Sequence, residues 1–257
     1  MRIVVLGGGG VMGGQVADRL AAAGHDVERA SRRTGVDAAT GTGLAGVVER
    51  ADVVIDCLNV VTVRRSRAVG FFTTAARHVV DAVRSSQVTH VVVLSIGNVT
   101  DQPVRRALGY YAGKAAHEET YAASGLPVSV VATTAWFSLA EQFLSQGRLG
   151  PVAAVPAMRL QPVHPDAVAD LLAEVAQGPA PDGLARYLLA GPEQLDAPAM
   201  ARDLAAARGL RTRVIGVPFP LRRGFRARAL LPRDDGATTR IDDRRYADWL
   251  ASRTGRP

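Results

Sequence analysis

The sequence predicts an α/β fold, a doubly wound parallel sheet with helices on both faces and a small C-terminal subdomain. Three observations lead there. Short apolar runs recur along the chain (Ile3 to Leu6, Ala51 to Leu58, Val88 to Ile96, Pro127 to Ala132), as strands buried on both faces do. Longer segments with apolar residues at helical spacing lie between them, 65 to 84 being the longest. The first run ends in glycines, MRIVVLGGGGVMGG, and a helical pattern starts from them at once. With 257 residues and 47% hydrophobic content, the chain can bury a large core as one structural unit. Residues 1–150 are expected to hold the nucleotide-binding part of the sheet, and 151–257 the remaining sheet elements and a small covering portion.

The opening stretch carries the strongest signal. Gly7, Gly10 and Gly13 stand at G-x-x-G-x-x-G spacing, where a missing Cβ lets a turn close, lets backbone N–H groups approach a pyrophosphate and lets helix pack on strand. The first N–H groups of the helix have no internal partner, so a phosphate belongs there. That helix is expected from Val11 to Ala23, capped by Gly24, with the second strand from His25 to Ala30. In a dinucleotide fold the residue closing the second strand meets the adenosine ribose, and an acid there suits NAD. Here the residues are Ser31, Arg32, Arg33 and Thr34, and two guanidinium groups without an acid suit the 2′-phosphate of NADP(H).

Residues 35–50 read as a glycine- and threonine-rich loop, a brief strand near Val36 and a short helix burying Leu44, Val47 and Val48. The buried strand Ala51 to Leu58 follows. Carboxyl ends of strands line the ligand crevice in such sheets, which places Leu58, Asn59 and Val60 beside the cofactor. Cys57 is the single cysteine, so an intrachain disulfide is excluded; within VVIDCL it reads as a buried small hydrophobe. After helix 65–84, the strand Val88 to Ile96 brings Ser95 to the crevice rim, and 97–109 reads as a loop over the site.

A helix from Gly109 to about Ser124 opens on Tyr110-Tyr111-Ala112-Gly113-Lys114. Tyr110 and Lys114 are four apart and share one helix face, with Cβ atoms roughly 6 Å apart. A lysine cation there favours the phenolate, lowering the tyrosine pKa, and a tyrosine so placed can act as general acid or base. Lys114 is the only lysine in a chain with thirty arginines, which points to a site that requires a compact ammonium. Spacing selects Tyr110 over Tyr111, which points about 100° away. His117, three residues past Lys114, either looks into the same space or, as is commoner, lies on the polar surface of this helix.

These stretches, with GGGGVMG, SRR, VVIDCLN, VVVLSIGN, YYAGK and VHPDAVAD at 163–170, resemble the atypical short-chain dehydrogenase/reductases of the NmrA-like and isoflavone-reductase-like group of NAD(P)-binding Rossmann proteins. The resemblance covers residues 1 to about 200 and the remainder loosely. It implies that Tyr110 and Lys114 match the family's Tyr-x-x-x-Lys pair, that Ser95 matches its strand-end serine, and that Val11 and Met12 contact the cofactor. It also places Thr133 and Thr134, after the strand Pro127 to Ala132, near the nicotinamide. Trp136 and Phe137 follow as apolar walls of the substrate pocket or as core anchors of helix 138–146, and His164 approaches that pocket or serves a structural hydrogen bond.

Further on, Asp166 is expected to cap a helix from Ala167 to Gln177; Leu184 to Ala190 reads as a strand, Pro198 to Arg208 as a helix and Thr212 to Val217 as a strand. Leu221, Phe225, Ala229 and Leu230 form an apolar stripe, and Tyr246, Trp249 and Leu250 a final short helix. The net charge of +7 resides in the C-terminal segment, where residues 201–257 carry 14 arginines against 6 acids. This segment lacks zinc spacing and an aromatic stacking run, which argues against nucleic acid as a partner. Neither a metal-binding cluster nor an apolar run of membrane-spanning length occurs, so a cytoplasmic protein is expected. A homodimer is left open.

The expectation is an NADPH-dependent oxidoreductase that reduces a carbonyl or activated double bond of a small, fairly apolar molecule, Tyr110 giving the proton and Ser95 orienting the substrate oxygen. Two alternatives stand beside it: an NADP(H)-binding redox sensor without catalysis, and a non-redox lyase, dehydratase or isomerase. The intact Tyr-Lys-Ser set counts against the sensor, which needs no proton donor.

Overall fold

The structure is a computed structural model that describes residues 1–218, 230–233 and 236–253. The first βαβ unit comprises β1 (Arg2–Leu6), α1 (Val11–Ala22) and β2 (Asp26–Ala30), followed by α2 (Leu44–Val48), β3 (Val53–Asp56), α3 (Arg65–Arg84) and β4 (His90–Ile96). Next come α4 (Gln102–Ala107), α5 (Gly109–Ala122), β5 (Val128–Thr133), α6 (Leu139–Gln146), β6 (Arg148–Leu149), β7 (Val152–Pro156) and β8 (Arg159–Leu160). Then α7 (Pro165–Gln177), β9 (Leu184–Ala190), β10 (Leu195–Asp196), α8 (Ala197–Ala207), β11 (Arg213–Val217), β12 (Thr238–Ile241) and α9 (Tyr246–Ala251) complete the described elements.

Seven strands make one parallel sheet in the order β12-β9-β5-β4-β3-β1-β2. The chain steps from β1 out to β2, then returns to place β3 on the other side of β1. The order therefore reverses between β1 and β3, the position at which doubly wound sheets hold ligands. Leu6 lies level with Ala30 and with Asp56, so the three loops that leave these strands open side by side.

Alternate strand residues feed two cores. Ile3, Val5, Ile55, Val92 and Leu94 pack with Val16 and Leu20 of α1 and Val168 and Leu172 of α7. Val4, Leu6, Val54, Val91 and Val93 pack on the opposite face with Leu44 and Val48 of α2, Val79 and Val80 of α3 and Tyr121 of α5. Burying each such Val or Leu stabilises the fold by about 1.5–3 kcal/mol, which is why apolar periodicity located the elements so well. Across the first core, Arg19 of α1 pairs with Asp170 of α7 at 2.6 Å. A third cluster, with Phe137, Leu144, Val155, Met200, Leu204, Tyr246 and Trp249, joins α6, α8 and α9 to a three-stranded sheet of order β11-β7-β6.

Several boundaries differ from expectation for physical reasons. The brief strand near Val36 is an isolated bridge between Asp37 and Thr42, because Gly35, Gly41 and Gly43 all take positive φ and curl the segment. β2 is therefore the sheet edge. The expected loop 97–109 contains α4, whose start is capped by the Asp101 carboxylate accepting the Val104 N–H. At α7 the cap is His164, whose Nδ1 accepts the Asp166 N–H at 3.0 Å; Pro165 takes the first helical position and Asp166 is left to pair with Arg19. Leu221, Phe225 and Ala229 of the expected apolar stripe lie outside the described residues, whereas Leu230 packs against the third cluster. Among the described residues, no helix is long and apolar enough to cross a membrane, and no group of His, Cys, Asp and Glu is placed to hold a metal ion.

Candidate active site

The glycine-rich turn is built as its spacing requires. Gly7 has φ +74, and its carbonyl accepts the Gly10 N–H at 2.8 Å. A Cβ on Gly13 would lie 2.3 Å from the Gly7 carbonyl oxygen, so only glycine lets α1 approach this closely. Gly10 caps α1 without a side-chain bond, leaving first-turn N–H groups available to an anion. A cleft of about 710 Å³ opens from this turn across the carboxyl ends of β1, β2 and β3. Gly7, Gly10, Ser31, Arg32, Arg33, Leu58, Asn59 and Val60 all line it, together with Asp37, Arg67 and Phe71. Arg33 reaches back to the Gly9 carbonyl at 3.4 Å, and a second cavity of about 470 Å³ lies between the turn, Arg29, Ser31 and Arg33. Val11 is 77% exposed, whereas Met12 is buried in the first core.

The Tyr-Lys pair sits on α5, which packs closely on α3 because Gly113 has no side chain; a Cβ there would meet Ala68 and Phe72 at 2.8 Å. Lys114 is buried and donates to the Leu58 carbonyl at 3.3 Å and the Leu94 carbonyl at 2.9 Å, with its ammonium 4.5 Å from the Phe72 ring centroid. Tyr110 donates its hydroxyl to Asn59 Oδ1 at 3.0 Å. The phenol is pushed up to about 12 by burial, not lowered as the spacing alone had suggested, because the ammonium is turned to backbone carbonyls of β4 and the β3 loop. Tyr111, whose ring meets that of Tyr110 edge-on, is likewise raised by burial.

The other expected residues are more dispersed. Ser95, expected at the crevice rim, is 1% exposed beneath α5 with its hydroxyl beside the Glu118 carboxyl, because α5 covers the end of β4. Glu118 pairs with Arg186 of β9, and burial raises its carboxyl against the pull of that arginine. Thr133 is buried at the end of β5, where its hydroxyl accepts the Trp136 indole N–H at 2.9 Å. Thr134 is also buried. Trp136 is half-buried, but Phe137 is 1% exposed among Tyr246, Trp249 and His164 in the third cluster.

Sequence reasoning missed a buried polar cluster next to the pair. His117, expected on the surface, is fully buried and bonds through Nε2 to Asp56 Oδ2 at 3.0 Å. Tyr121 donates to the same oxygen at 2.6 Å, and the Leu58 N–H donates to Asp56 Oδ1 at 2.8 Å. These partners hold the Asp56 carboxyl down at about 2 in spite of its burial, while burial keeps the His117 imidazole below its usual value. A signal was present: His117 and Tyr121 are four apart and fall three and seven residues after Lys114, on one face, and Asp56 is the one acid in an apolar strand. Cys57 lines the cleft with its thiol pushed up to about 12 by burial, a state without nucleophilic character.

No protein-family model and no curated protein sequence matches the chain. Solved structures do. The dTDP-4-dehydrorhamnose reductase of Bacillus anthracis str. Ames, in complex with NADP, superposes with a TM-score of 0.71 at 16% identity over 97% of both chains. A short-chain dehydrogenase/reductase superfamily protein from Agrobacterium tumefaciens with bound NAD gives 0.72 at 15% identity, covering 98% of this chain and 96% of that one. The UDP-glucose 4-epimerase of Thermus thermophilus, complexed with NAD, gives 0.68 at 17% over 90% of each. At such identities the likeness is one of fold, and it is the fold of the wider superfamily that the sequence resembles, without singling out the NmrA-like branch.

Proposed function

We propose that this chain, with the Rossmann fold of short-chain dehydrogenase/reductase structures, is an NADPH-dependent reductase acting on a carbonyl or activated double bond of a small, fairly apolar molecule. The observation that carries this reading is the placement of Tyr110 and Lys114, one helical turn apart on α5, with both side chains on the Leu58–Asn59 turn that lines the cleft from Gly7. The residues present fit a dinucleotide, since the glycine turn excludes any Cβ at Gly13 and the first-turn N–H groups of α1 lack acceptors. Gly7, Gly10, Gly13, Val11 and Met12 would hold its pyrophosphate, Arg32 and Arg33 with Ser31 a 2′-phosphate, and Leu58, Asn59, Val60, Lys114 and Thr133 its nicotinamide half. When bound, the nicotinamide supplies or accepts a hydride.

The remaining work falls to side chains of this chain. Tyr110, a phenol at neutral pH because burial raises it to about 12, gives a proton to the substrate oxygen and is aimed by Asn59. Lys114 supplies positive charge and ammonium donors. Ser95 is assigned to orient the substrate oxygen, which requires its buried hydroxyl to turn away from Glu118. Trp136 walls the pocket and Phe137 supports it from the third cluster, with His164 beside them.

A second reading is a non-redox epimerase or dehydratase, supported by the likeness of fold to an epimerase as well as a reductase. The test begins with NADPH and NADH titrations of the purified protein and of the variant carrying Arg32→Ala and Arg33→Ala. The double variant is expected to weaken NADPH binding at least tenfold more than NADH binding; equal losses overturn the 2′-phosphate assignment. A panel of ketones, quinones and enones then reads NADPH oxidation. Binding with no oxidation across the panel moves the reading to the non-redox alternative or to a sensor without catalysis.

A further inference from the structure

The cluster around Asp56 has no part in the proton-transfer scheme, yet it sits directly under the turn that carries Tyr110 and Lys114. Asp56 is the last residue of β3 and has no exposed surface. Its carboxyl oxygens accept from the Leu58 N–H, His117 Nε2 and Tyr121 Oη. His117 Nδ1 is buried and meets no partner, so a protonated ring would bury an unpaired N–H; the ring is neutral, with its hydrogen on Nε2. His117 therefore satisfies Asp56 without cancelling its charge.

The groups that face Lys114 narrow the choice of counter-charge. The carbonyls of Leu58 and Leu94 and the ring of Phe72 on α3 carry no net charge. The Cys57 thiol is neutral, since burial raises it to about 12. Glu118, on the same helix, is bound to Arg186. Asp56 is left as the carboxylate beside Lys114 that no arginine pairs with; the two meet through Leu58, whose N–H bonds Asp56 Oδ1 and whose carbonyl accepts from Lys114, and the carboxylate favours the ammonium more than Cys57 or Glu118 does. A buried ammonium without such a partner gives up its proton.

We propose that Asp56 is the positioning residue of this site: its buried carboxylate is the counter-charge that keeps Lys114 an ammonium, and its bond to the Leu58 N–H fixes the turn on which Lys114 and Tyr110 rest. The relevance to turnover rests on the reading of Lys114 and Tyr110 given above, but the charge pairing can be measured with no cofactor present. Lys114 is the only lysine, so protein grown on lysine labelled with carbon-13 at Cε shows one side-chain signal, whose shift follows protonation of that amine.

In the unsubstituted protein the signal is expected to titrate above about pH 8, and a midpoint at or below that value overturns the proposal. Asp56→Asn is expected to lower the midpoint by at least about half a pH unit, and by more than Glu118→Gln does; a smaller shift, or a larger one in Glu118→Gln, overturns it. If Asp56→Asn does not fold, the unsubstituted midpoint still decides. NADPH titration of the same samples is expected to show at least tenfold weaker binding in Asp56→Asn, and unchanged affinity overturns the positioning role. Should the unsubstituted protein bind no NADPH, the functional reading fails, while the lysine titration still tests the pairing.

Discussion

At Tyr110, burial decides the state of the hydroxyl, the Lys114 ammonium being turned to backbone carbonyls. The phenol is held near 12, bonded to Asn59, with its proton in place at every physiological pH. A proton donor of this kind predicts no fall in the reduction rate from the phenol below about pH 10; a fall beginning near pH 8 with a midpoint distinct from that of the Lys114 amine would show that Lys114 depresses the phenol after all. Tyr110→Phe is expected to leave NADPH affinity within about twofold and to cost roughly 10²–10⁴ in turnover, read as kcat against dissociation constant. The tyrosine and lysine were legible in the sequence because helical spacing is a local property. The direction of the tyrosine shift was not, since it depends on where two carbonyls from distant strands stand.

The polar cluster links β3 to α5, and its energetics belong to that pairing of elements. His117 is held below its usual value, so the unfolded chain takes up a proton first as pH falls below about 6.5. Asp56 is held down at about 2 against an unfolded value near 3.9, so its contribution is present above about pH 4 and is lost as pH falls toward 2. Both signs agree: stability declines in two steps on acidification, the second worth on the order of 2 kcal/mol. Urea midpoints measured from pH 8 to pH 2 check this, and His117→Gln is expected to remove the first step. The elements themselves could be read from the sequence, α3 and β9 to the residue, because burial of apolar faces imposes a period. The cluster was legible only in part: spacing puts His117 and Tyr121 on one face of α5, but a buried acid is tolerated only where tertiary structure brings donors to it, and the aspartate in VVIDCL does not announce which residues, about sixty on, will supply them.

For the molecule as a whole, the proposed cofactor would join the start of α1, the arginines that follow β2 and the β3 turn, three parts that line one cleft. Ligand binding to the folded state then raises its stability by mass action, about 2.7 kcal/mol at a hundredfold excess over the dissociation constant. For a chain of this size that is roughly 5–10 °C in melting temperature. A thermal melt with NADPH is expected to show this shift and one with NADH a smaller one; equal shifts count against the arginine assignment. The reversal of strand order at β1 was implied by the N-terminal glycine turn, whereas the loss of the outer strand near Val36 depended on three positive-φ glycines whose effect is visible only once the segment is curled.

The strand order also bears on how the chain assembles during synthesis. From β1 outward through β3, β4, β5, β9 and β12, each strand joins the sheet beside one already made, and β2 closes the other side at once. The growing sheet can therefore add strands as they leave the ribosome, with one unpaired edge moving along in step. That edge waits longest at β5, since α6, β6, β7, β8 and α7 must all be made before β9 arrives to cover it. The interval is when a chaperone has most to protect.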